Sequence, residues 1–317
     1  MIASFRSALQ AAHEAAGAQD YPQSALYVVA TPIGNLADIS LRALQVLALA
    51  DVIACEDTRH THSLLRAYGI DKSSAQLLAL HQHNESEAAH SVIERLRAGQ
   101  RIAYVSDAGT PGISDPGARL VAQVRAQDLR VVPLPGASSI TTLLSAAGVL
   151  HDSQGETGFV FAGFLPSKAA ERAQAISALA AQTRAFVLLE APHRIEALAL
   201  ALAPLGERLV TLGRELTKQF EQITTVRADA LAAWLAADAN RLRGEFSLVV
   251  HPGQADSVAD DDRVLRLLLA HLPLKTAVKL ASEISGQARN GLYERALALK
   301  GGGGGGGEGP PDGPRTP

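Results

Sequence analysis

The sequence predicts an α/β fold in which two sheets follow one another along the chain and a short helical segment comes last. Short apolar runs rich in β-branched residues alternate with longer segments in which apolar residues recur every three or four positions. This alternation pauses at the polar residues 151–158 and then starts again. We therefore expect α/β domains over residues 25–150 and 158–252, with a cleft between them, and a helical appendage over 263–300.

Five strand–loop–helix units are expected in the first domain, because each apolar run is followed by a polar turn and then by a helical period. The predicted strands are residues 26–30, 52–55, 77–81, 101–105 and 131–134. The predicted helices are residues 41–49, 58–68, a third that ends at residue 96, 118–124 and 140–147. Asp57 or Thr58 is placed to cap the second helix, and Asn84 with Glu87 resembles a capping box for the third.

The second domain repeats this alternation with fewer elements. Its predicted strands are residues 159–162, 185–189, 208–212 and 246–250. Its predicted helices are an alanine-rich one after residue 168, one that ends at residue 202, and residues 228–236.

The two ends of the chain lack the strand–helix alternation. Residues 1–24 are expected to form a loosely held helix or tail, and the glycine- and proline-rich residues 301–317 a disordered tail. An acidic linker is expected over 256–262, followed by helical segments at residues 265–269, 276–284 and 290–299. Between Arg263 and Lys300 there are seven Lys or Arg and two Glu, a local charge of +5. A helix-turn-helix that binds a partner and a simple packing appendage fit this segment equally well.

The net charge, the number of cysteines and the length of the apolar stretches exclude several classes of protein. A net charge of −3 gives no global positive field that would draw in nucleic acid. The single cysteine, Cys55, allows no internal disulfide and fits a reducing compartment. No apolar stretch is long enough to span a bilayer, and the first twenty residues lack the apolar core of a signal peptide, so we expect a cytoplasmic protein without a membrane partner.

The loop from Ser106 to Gly117 is the strongest candidate for a ligand site. It contains three glycines and two prolines in twelve residues and follows a predicted buried strand. Glycines allow a ligand to approach the main chain, prolines keep the loop stiff, and open α/β sheets bind ligands at the carboxyl ends of their strands. Asp115 has a plainer role as a cap of the next helix, with Pro116 at the first helical position.

Motifs for common cofactors are missing. There is no phosphate-binding loop of the Walker type, and the turn at residues 31–36 has one glycine where a dinucleotide fingerprint needs three. His81 and His83 have no evident third ligand, so we expect no metal. What remains is a set of polar clusters at predicted strand ends, namely residues 56–60, 81–84, 107–110, 190–194 and 214–218. Their repetition in both domains predicts a polar cleft that recognises a polar substrate.

Seven motifs, in this order, carry a resemblance to one family. They are residues 26–38 (LYVVATPIGNLAD), 55–59 (CEDTR), 106–117 (SDAGTPGISDPG), 133–138 (PLPGAS), 161–166 (FAGFLP), 190–194 (EAPHR) and 213–218 (GRELTK). Over residues 26–300 the chain closely resembles the ribosomal RNA small subunit methyltransferase I family of the tetrapyrrole methylase superfamily.

The resemblance implies a homodimeric two-domain α/β enzyme that uses S-adenosylmethionine. The implied reaction is methylation of the 2′-hydroxyl of a cytidine in the decoding region of 16S ribosomal RNA, either free or in the assembled small subunit. The implied cofactor residues are Pro32, Gly34, Asp107, Ala108, Gly109, Thr110, Ile113, Ser138, Ser139, Leu189, Glu190, Ala191, Gly244, Glu245 and Phe246. Candidates for holding and activating the ribose are Glu56, Asp57, Arg59, Glu190, Arg194 and Lys218, without an assigned base.

Two other functions share these features. A tetrapyrrole C-methyltransferase would have the same fold and cofactor, and the basic C-terminal segment speaks against it. A non-catalytic RNA-binding module would keep the fold but not the catalytic activity. The complete set of loop motifs argues against such a degenerate protein. For RNA phosphates, we expect cations from the C-terminal segment and from the helix that carries Arg59 and Arg66.

Overall fold

Two five-stranded sheets form the body of the protein, in a computed structural model that describes residues 5–81, 85–149, 158–253 and 257–301. Both sheets belong to one compact unit, Met1–Gly253, and Gln254–Pro317 form a second unit. The predicted α/β architecture, with two sheets that follow one another along the chain, is confirmed. The predicted domain boundary at 151–157 lies outside the described residues.

The first sheet is wholly parallel, with the strand order β3-β2-β4-β1-β5. Its strands are Ala25–Val29 (β1), Val52–Cys55 (β2), Leu77–Ala79 (β3), Ile102–Val105 (β4) and Arg130–Leu134 (β5). The helices are Arg6–Ala16 (α1), Leu41–Leu49 (α2), Thr58–Ala67 (α3), Glu85–Arg97 (α4), Gly117–Arg125 (α5) and Ser139–Ala147 (α6). Alternate residues of the central strands enter two separate apolar cores, so helices cover both faces, as parallel sheets require.

Residues 5–16 differ from the predicted loosely held segment. Helix α1 packs on α2, and Ala12 and Ala16 are buried. The Phe5 ring lies 5.8 Å from that of Tyr68. This packing was not predicted because the buried face of α1 consists mainly of alanines. Alanine differs little in hydrophobicity from the residues of an exposed helix face, so the sequence shows no clear apolar stripe.

The second sheet is mixed, with the strand order β6-β7-β10-β8-β9. Its strands are Phe159–Gly163 (β6), Ala185–Glu190 (β7), Leu209–Arg214 (β8), Gln222–Arg227 (β9) and Phe246–Val250 (β10). Helices Ala169–Ala180 (α7), Ile195–Leu202 (α8) and Leu231–Ala236 (α9) belong to the same half. Strand β10 is antiparallel to both β7 and β8. Strand β9 was not predicted; it lies at the sheet edge, and its alternate exposed residues make it polar.

Helix α6 connects the two sheets. It follows the last strand of the first sheet, yet Ile140, Leu143 and Ala147 share an apolar core with Val187 and Val249 of the second. The last helix of the first half therefore packs on the second sheet, which links the two halves within one compact unit.

The C-terminal unit consists, in its described part, of helices Ser257–His271 (α10), Leu274–Ser285 (α11) and Arg289–Gly301 (α12). They enclose a small core of Leu265, Val278, Ala281, Leu292 and Ala296. The predicted acidic linker is wrong over 257–262, because helix α10 already begins at Ser257. Acidic residues near a helix N-terminus are favourable, so their charge did not indicate a linker.

The predicted glycine-rich tail, beyond residue 301, lies outside the described residues, as do His83 and Asn84. Within the described ranges, no helix combines the length and apolar character that crossing a membrane requires.

Candidate active site

The loops that follow β1, β4 and β5 meet at one edge of the first sheet, because all its strands run in the same direction. Thr31 and Gly109 exchange two backbone hydrogen bonds, of 3.0 and 3.1 Å. The Thr110 hydroxyl donates to the Ala137 carbonyl over 2.9 Å. These bonds fix the predicted glycine-rich loop between its two neighbours.

The glycine-rich loop has the backbone conformation that its sequence predicted. Gly109 and Gly112 have φ values of +82° and +86°, a region that favours glycine. The Asp115 carboxylate accepts hydrogen bonds from the backbone N–H groups of Gly112 and Gly117 and from the Tyr104 hydroxyl, at 2.7–2.8 Å. The predicted N-cap is wrong by one residue, because Pro116 occupies the N-cap of α5, but Asp115 still accepts a hydrogen bond from the N–H of Gly117, the first residue of that helix.

The second sheet presents three chain segments beside this edge. Phe246 of β10 is paired with Glu190 on one side and with Arg214 on the other. The ends of β7 and β8 and the start of β10 therefore lie together, which explains how residues distant in sequence line common cavities.

The glycine-loop pocket is a cavity of about 220 Å³ between these loops. Eight of its fourteen lining residues are polar, including Asp107, Thr110, Ser138 and Ser139. The rest of the lining is Ile33, Glu56, Ser106, Ala108, Gly109, Ile113, Ser114, Asp115, Ile140 and Leu189. The N-cap residue of α6, Ser138, makes no side-chain capping bond, so the first turn of that helix, which starts at the pocket wall, has N–H groups that this side chain does not satisfy.

The aromatic pocket, of about 390 Å³, lies beside the glycine-loop pocket and is more apolar. Both sheets contribute to its lining of Ile33, Ala108, Ser114, Ser139, Phe164, Leu189, Glu190, Ala191, Pro192, Leu216, Glu245, Phe246 and Ser247.

The α3 pocket, of about 350 Å³, lies against the exposed face of helix α3. It is lined by Pro32, Ile33, Gly34, Leu36, His60, Ser63, Leu64, Ala67, Asp107, Ala108, Lys218 and Glu245. Ile33 and Ala108 line all three cavities, so these form one branched cleft with a common wall.

Glu56 is the titratable group of the glycine-loop pocket with the most altered affinity for protons. Burial raises its pKa from the ordinary 4.5 to about 7, and the nearby carboxylates of Asp107 and Asp115 add to the rise. Such a carboxyl exchanges a proton near neutral pH, which is the property that a general base or acid needs.

Glu190 and Arg194 form a buried ion pair. Arg194 Nε lies 3.1 Å from Glu190 Oε1, and the Glu190 side chain is 0% exposed. The same oxygen accepts from the Ala191 N–H over 2.9 Å, and Arg194 also donates to the Leu165 carbonyl. Glu190 Oε2 is buried without a hydrogen-bond partner among the described residues. Arg194 therefore holds the loop, whereas Glu190 keeps a free acceptor beside the aromatic pocket.

Lys218 is held between two carboxylates at the mouth of the α3 pocket. Its Nζ donates to Glu215 Oε1 and to Glu245 Oε2, each over 2.9 Å. Burial lowers the pKa of Lys218, but these two hydrogen bonds outweigh burial and raise it, so the ammonium stays charged at neutral pH. A Cβ on Gly34 would lie 2.4 Å from Lys218 Cγ, so only glycine fits at that position in the β1 turn.

Two of the predicted site residues serve helix α3 and do not line the cleft pockets. Asp57 caps α3 by accepting from the N–H groups of Arg59 and His60, as the sequence predicted, and pairs with Arg59 over 3.2 Å. A third, Gly244, lines a separate outer cavity.

Sequence reasoning missed several lining residues. Ile33 and Leu216 lie inside recognised motifs. They were not predicted as lining residues, because the predictions in these motifs rested on polar side chains and glycines. Ser63 was also missed; it lies one helical turn after His60, a member of the predicted cluster 56–60, and this spacing could have indicated a common face. No group of three or more His, Cys, Asp or Glu side chains that could hold a metal ion occurs within the described parts of the chain.

Comparison with known proteins identifies the family. The model for Tetrapyrrole (Corrin/Porphyrin) Methylases matches residues 25–232, and that for the RsmI C-terminal HTH domain matches 255–300. Ribosomal RNA small subunit methyltransferase I of Escherichia coli O157:H7 is 48% identical over 287 residues, which cover 89% of this chain and 98% of that protein. The chain belongs to the ribosomal RNA small subunit methyltransferase I family.

Other relatives agree with this assignment. The ribosomal RNA small subunit methyltransferase I of Pseudomonas aeruginosa is 47% identical, with 87% of this chain and 98% of that protein covered. Membership places the chain among the S-adenosylmethionine-dependent methyltransferases.

Solved structures show the same fold. Uroporphyrin-III-C-methyltransferase from Thermus thermophilus superposes with a TM-score of 0.51 over 72% of this chain and 94% of that one. At 20% identity, this likeness shows the fold alone.

Proposed function

We propose that the chain methylates the 2′-hydroxyl of a cytidine in the decoding region of 16S ribosomal RNA, with S-adenosylmethionine as donor. The names and identity of its relatives support ribosomal RNA as the substrate. The single structural observation that carries the proposal is the branched cleft, in which three cavities share the wall formed by Ile33 and Ala108. Methyl transfer needs donor and acceptor in adjacent, connected spaces.

The described residues fit the cofactor. The aromatic pocket combines Phe164, Leu189 and Phe246 with a free carboxylate oxygen of Glu190, which suits an adenosine. The glycine-loop pocket offers Ser138, Ser139 and the first-turn N–H groups of α6, which suit the carboxylate of an amino acid. When bound, S-adenosylmethionine supplies an electrophilic methyl group.

The α3 pocket is the space that remains for the acceptor ribose. It shares Asp107 with the glycine-loop pocket and Glu245 with the aromatic pocket, so it borders both parts of the cofactor site. Aligning acceptor and donor in such a cleft lowers the barrier by roughly 7–11 kcal/mol.

A proton must leave the acceptor hydroxyl. Lys218 keeps its charge and therefore does not take the proton, but it is placed to stabilise negative charge on the acceptor oxygen or a neighbouring phosphate. The carboxylates of Glu56 and Asp107 lie together in the glycine-loop pocket, and Asp107 also lines the α3 pocket. We assign the acceptance of the proton to this pair. Of the other ribose candidates, Asp57, Arg59 and Arg194 make structural contacts.

RNA phosphates would meet cations on two surfaces. Helix α3 exposes Arg59 and Arg66 and has no acidic residue within Thr58–Ala67. The C-terminal unit carries seven Lys or Arg against two Glu from residue 263 to 300. Its match to a helix-turn-helix model favours a binding role over a packing appendage. A homodimer in the cytoplasm completes the proposal, with the resemblance to the family as its support.

Mapping of methylated riboses tests the proposal. Small subunits from cells that lack this protein would be incubated with the purified chain and S-adenosylmethionine, and 16S RNA would be analysed by mass spectrometry of nuclease fragments. We expect one new 2′-O-methylcytidine in the decoding region. Its absence, together with methyl transfer to a tetrapyrrole such as uroporphyrinogen III, would overturn the proposal.

A further inference from the structure

A fourth cavity lies outside the cofactor cleft, between the β8–β9 connection and the segment that precedes β10. This outer pocket has a volume of about 740 Å³. It is lined by Arg214, Glu215, Gln219, Phe220, Glu221, Gln222, Asp238, Asn240, Arg243 and Gly244. Of these residues, Gly244 was expected to touch the cofactor, and Arg214 and Glu215 belong to a polar cluster that was expected to line the substrate cleft.

The outer pocket has a built framework. The Arg214 guanidinium donates to the Arg243 carbonyl over 3.2 Å, to the Phe220 carbonyl over 3.3 Å and to Gln222 Oε1 over 3.4 Å. It thereby ties the two walls together. In the same loop Glu215 and Thr217 have φ values of +50° and +67°, which cost energy for residues other than glycine. The loop is thus held in a defined, strained shape.

This framework presents an aromatic ring to solvent. Phe220 is 68% exposed, and its ring stacks on no other aromatic ring within the described residues. Exposed aromatic rings in grooves are the stacking platforms on which proteins hold unpaired bases.

The charges of the outer pocket suit a base more than a phosphate. Its carboxylates accept main-chain hydrogen bonds: Glu221 from the Thr217 N–H over 2.6 Å, Asp238 from the Asn240 N–H over 2.9 Å, and Glu215 from the Glu245 N–H over 2.9 Å. Three carboxylates against the two guanidiniums leave no positive excess that would attract a phosphate.

Polar side chains around the ring can read a base edge. The amide side chains of Gln219 and Asn240 supply both donors and acceptors. The exposed Arg243 side chain makes no hydrogen bond or ion pair to any residue the structure describes.

The outer pocket adjoins the proposed acceptor site. Glu215 and Gly244 line the outer pocket, whereas Lys218 and Glu245, from the same two segments, line the α3 pocket. We propose that the outer pocket binds an unpaired nucleobase of the substrate RNA, close to the acceptor nucleotide, by stacking on Phe220. This inference rests on the proposed function, since it names a contact of the same substrate.

The test compares two exposed phenylalanines in the full chain. Phe220→Ala removes the platform, Phe220→Trp preserves it, and Phe159→Ala, at a 43% exposed position on β6, is the matched control. Affinity for a fluorescein-labelled single-stranded RNA of decoding-region sequence would be measured by anisotropy, and S-adenosylmethionine affinity by calorimetry. We expect Phe220→Ala to weaken RNA binding by about 5- to 150-fold, with Phe220→Trp and Phe159→Ala close to the parent and cofactor affinity unchanged.

Equal RNA affinities for Phe220→Ala and Phe159→Ala would overturn the inference. A loss seen with assembled small subunits but not with naked RNA would also overturn it, because it would indicate a ribosomal protein as the partner. If the parent chain binds RNA through Phe220 but forms no 2′-O-methylcytidine, the proposed function is wrong, but the inference that the outer pocket binds a nucleobase is retained. If the chain methylates the RNA but Phe220→Ala has no effect on RNA binding, the inference about the outer pocket is wrong and the proposed function is retained.

Discussion

Glu56 makes the stability of the protein depend on pH in a direction that can be calculated. Its pKa rises from 4.5 in an ordinary environment to about 7 in the folded chain, chiefly because of burial. At 1.36 kcal/mol per pKa unit this corresponds to roughly 3 kcal/mol, which solvent screening of the partly buried side chain reduces to about 1–2 kcal/mol. Folding favours the protonated form, so this stability is present below pH 4.5 and is lost as the pH rises through 7.

Glu56→Gln should therefore stabilise the protein at high pH, because glutamine cannot ionise. We expect a gain of about 1–2 kcal/mol at pH 8 and a much smaller gain at pH 5. Urea unfolding followed by the fluorescence of the single tryptophan, Trp234, reports on the unit that contains Glu56. Glu196→Gln, at an exposed position of α8, is the control. A Glu56→Gln gain that is the same at both pH values, or no larger than that of the control, would refute the reasoning.

Three further outcomes follow from the site. Gly34→Ala should lower methyl transfer at least tenfold, because its Cβ would displace Lys218; Gly291→Ala, which meets no atom within 4 Å, should leave the rate unchanged. Arg194→Met should cost about 3–5 kcal/mol in a urea unfolding experiment, because the buried Glu190 carboxyl would lose its partner; an unchanged midpoint would contradict the ion pair. A chain that ends before the C-terminal unit should keep its S-adenosylmethionine affinity by calorimetry but bind small subunits more weakly in a filter assay; undiminished subunit binding would exclude that unit as an RNA contact.

Much of the fold could be predicted from local pattern. The five strands of the first sheet and the four predicted strands of the second are present, because buried strands have near-continuous apolar runs. Strand β9 was missed because an edge strand with polar alternate residues resembles a loop. The packing of α6 on the second sheet could not be predicted, since a helix of nine mostly small and apolar residues does not reveal which sheet it covers.

The candidate site was predicted in part, and the reasons differ by residue. The glycine-rich loop could be predicted because its glycines and prolines by themselves indicate an irregular, stiff backbone. Three charged residues in the motifs were candidates for the reaction, namely Asp57, Glu190 and Arg194. In the structure, Asp57 caps a helix and the other two form a buried ion pair, and the sequence does not separate these roles from catalysis because they use the same residue types. The clamp on Lys218 depends on Glu245, twenty-seven residues away, and only the pairing of β10 with β8 brings them together.

The central place of β10 in the second sheet has a consequence for synthesis on the ribosome. The first sheet has all its strands once Leu134 is made, but the second lacks its middle until Val250 emerges. At about 5–20 residues per second, that interval lasts on the order of ten seconds. Until then the apolar side of α6, including Leu143, lacks Val249 and the rest of β10, so a nascent chain stalled before β10 should be a preferred client of chaperones.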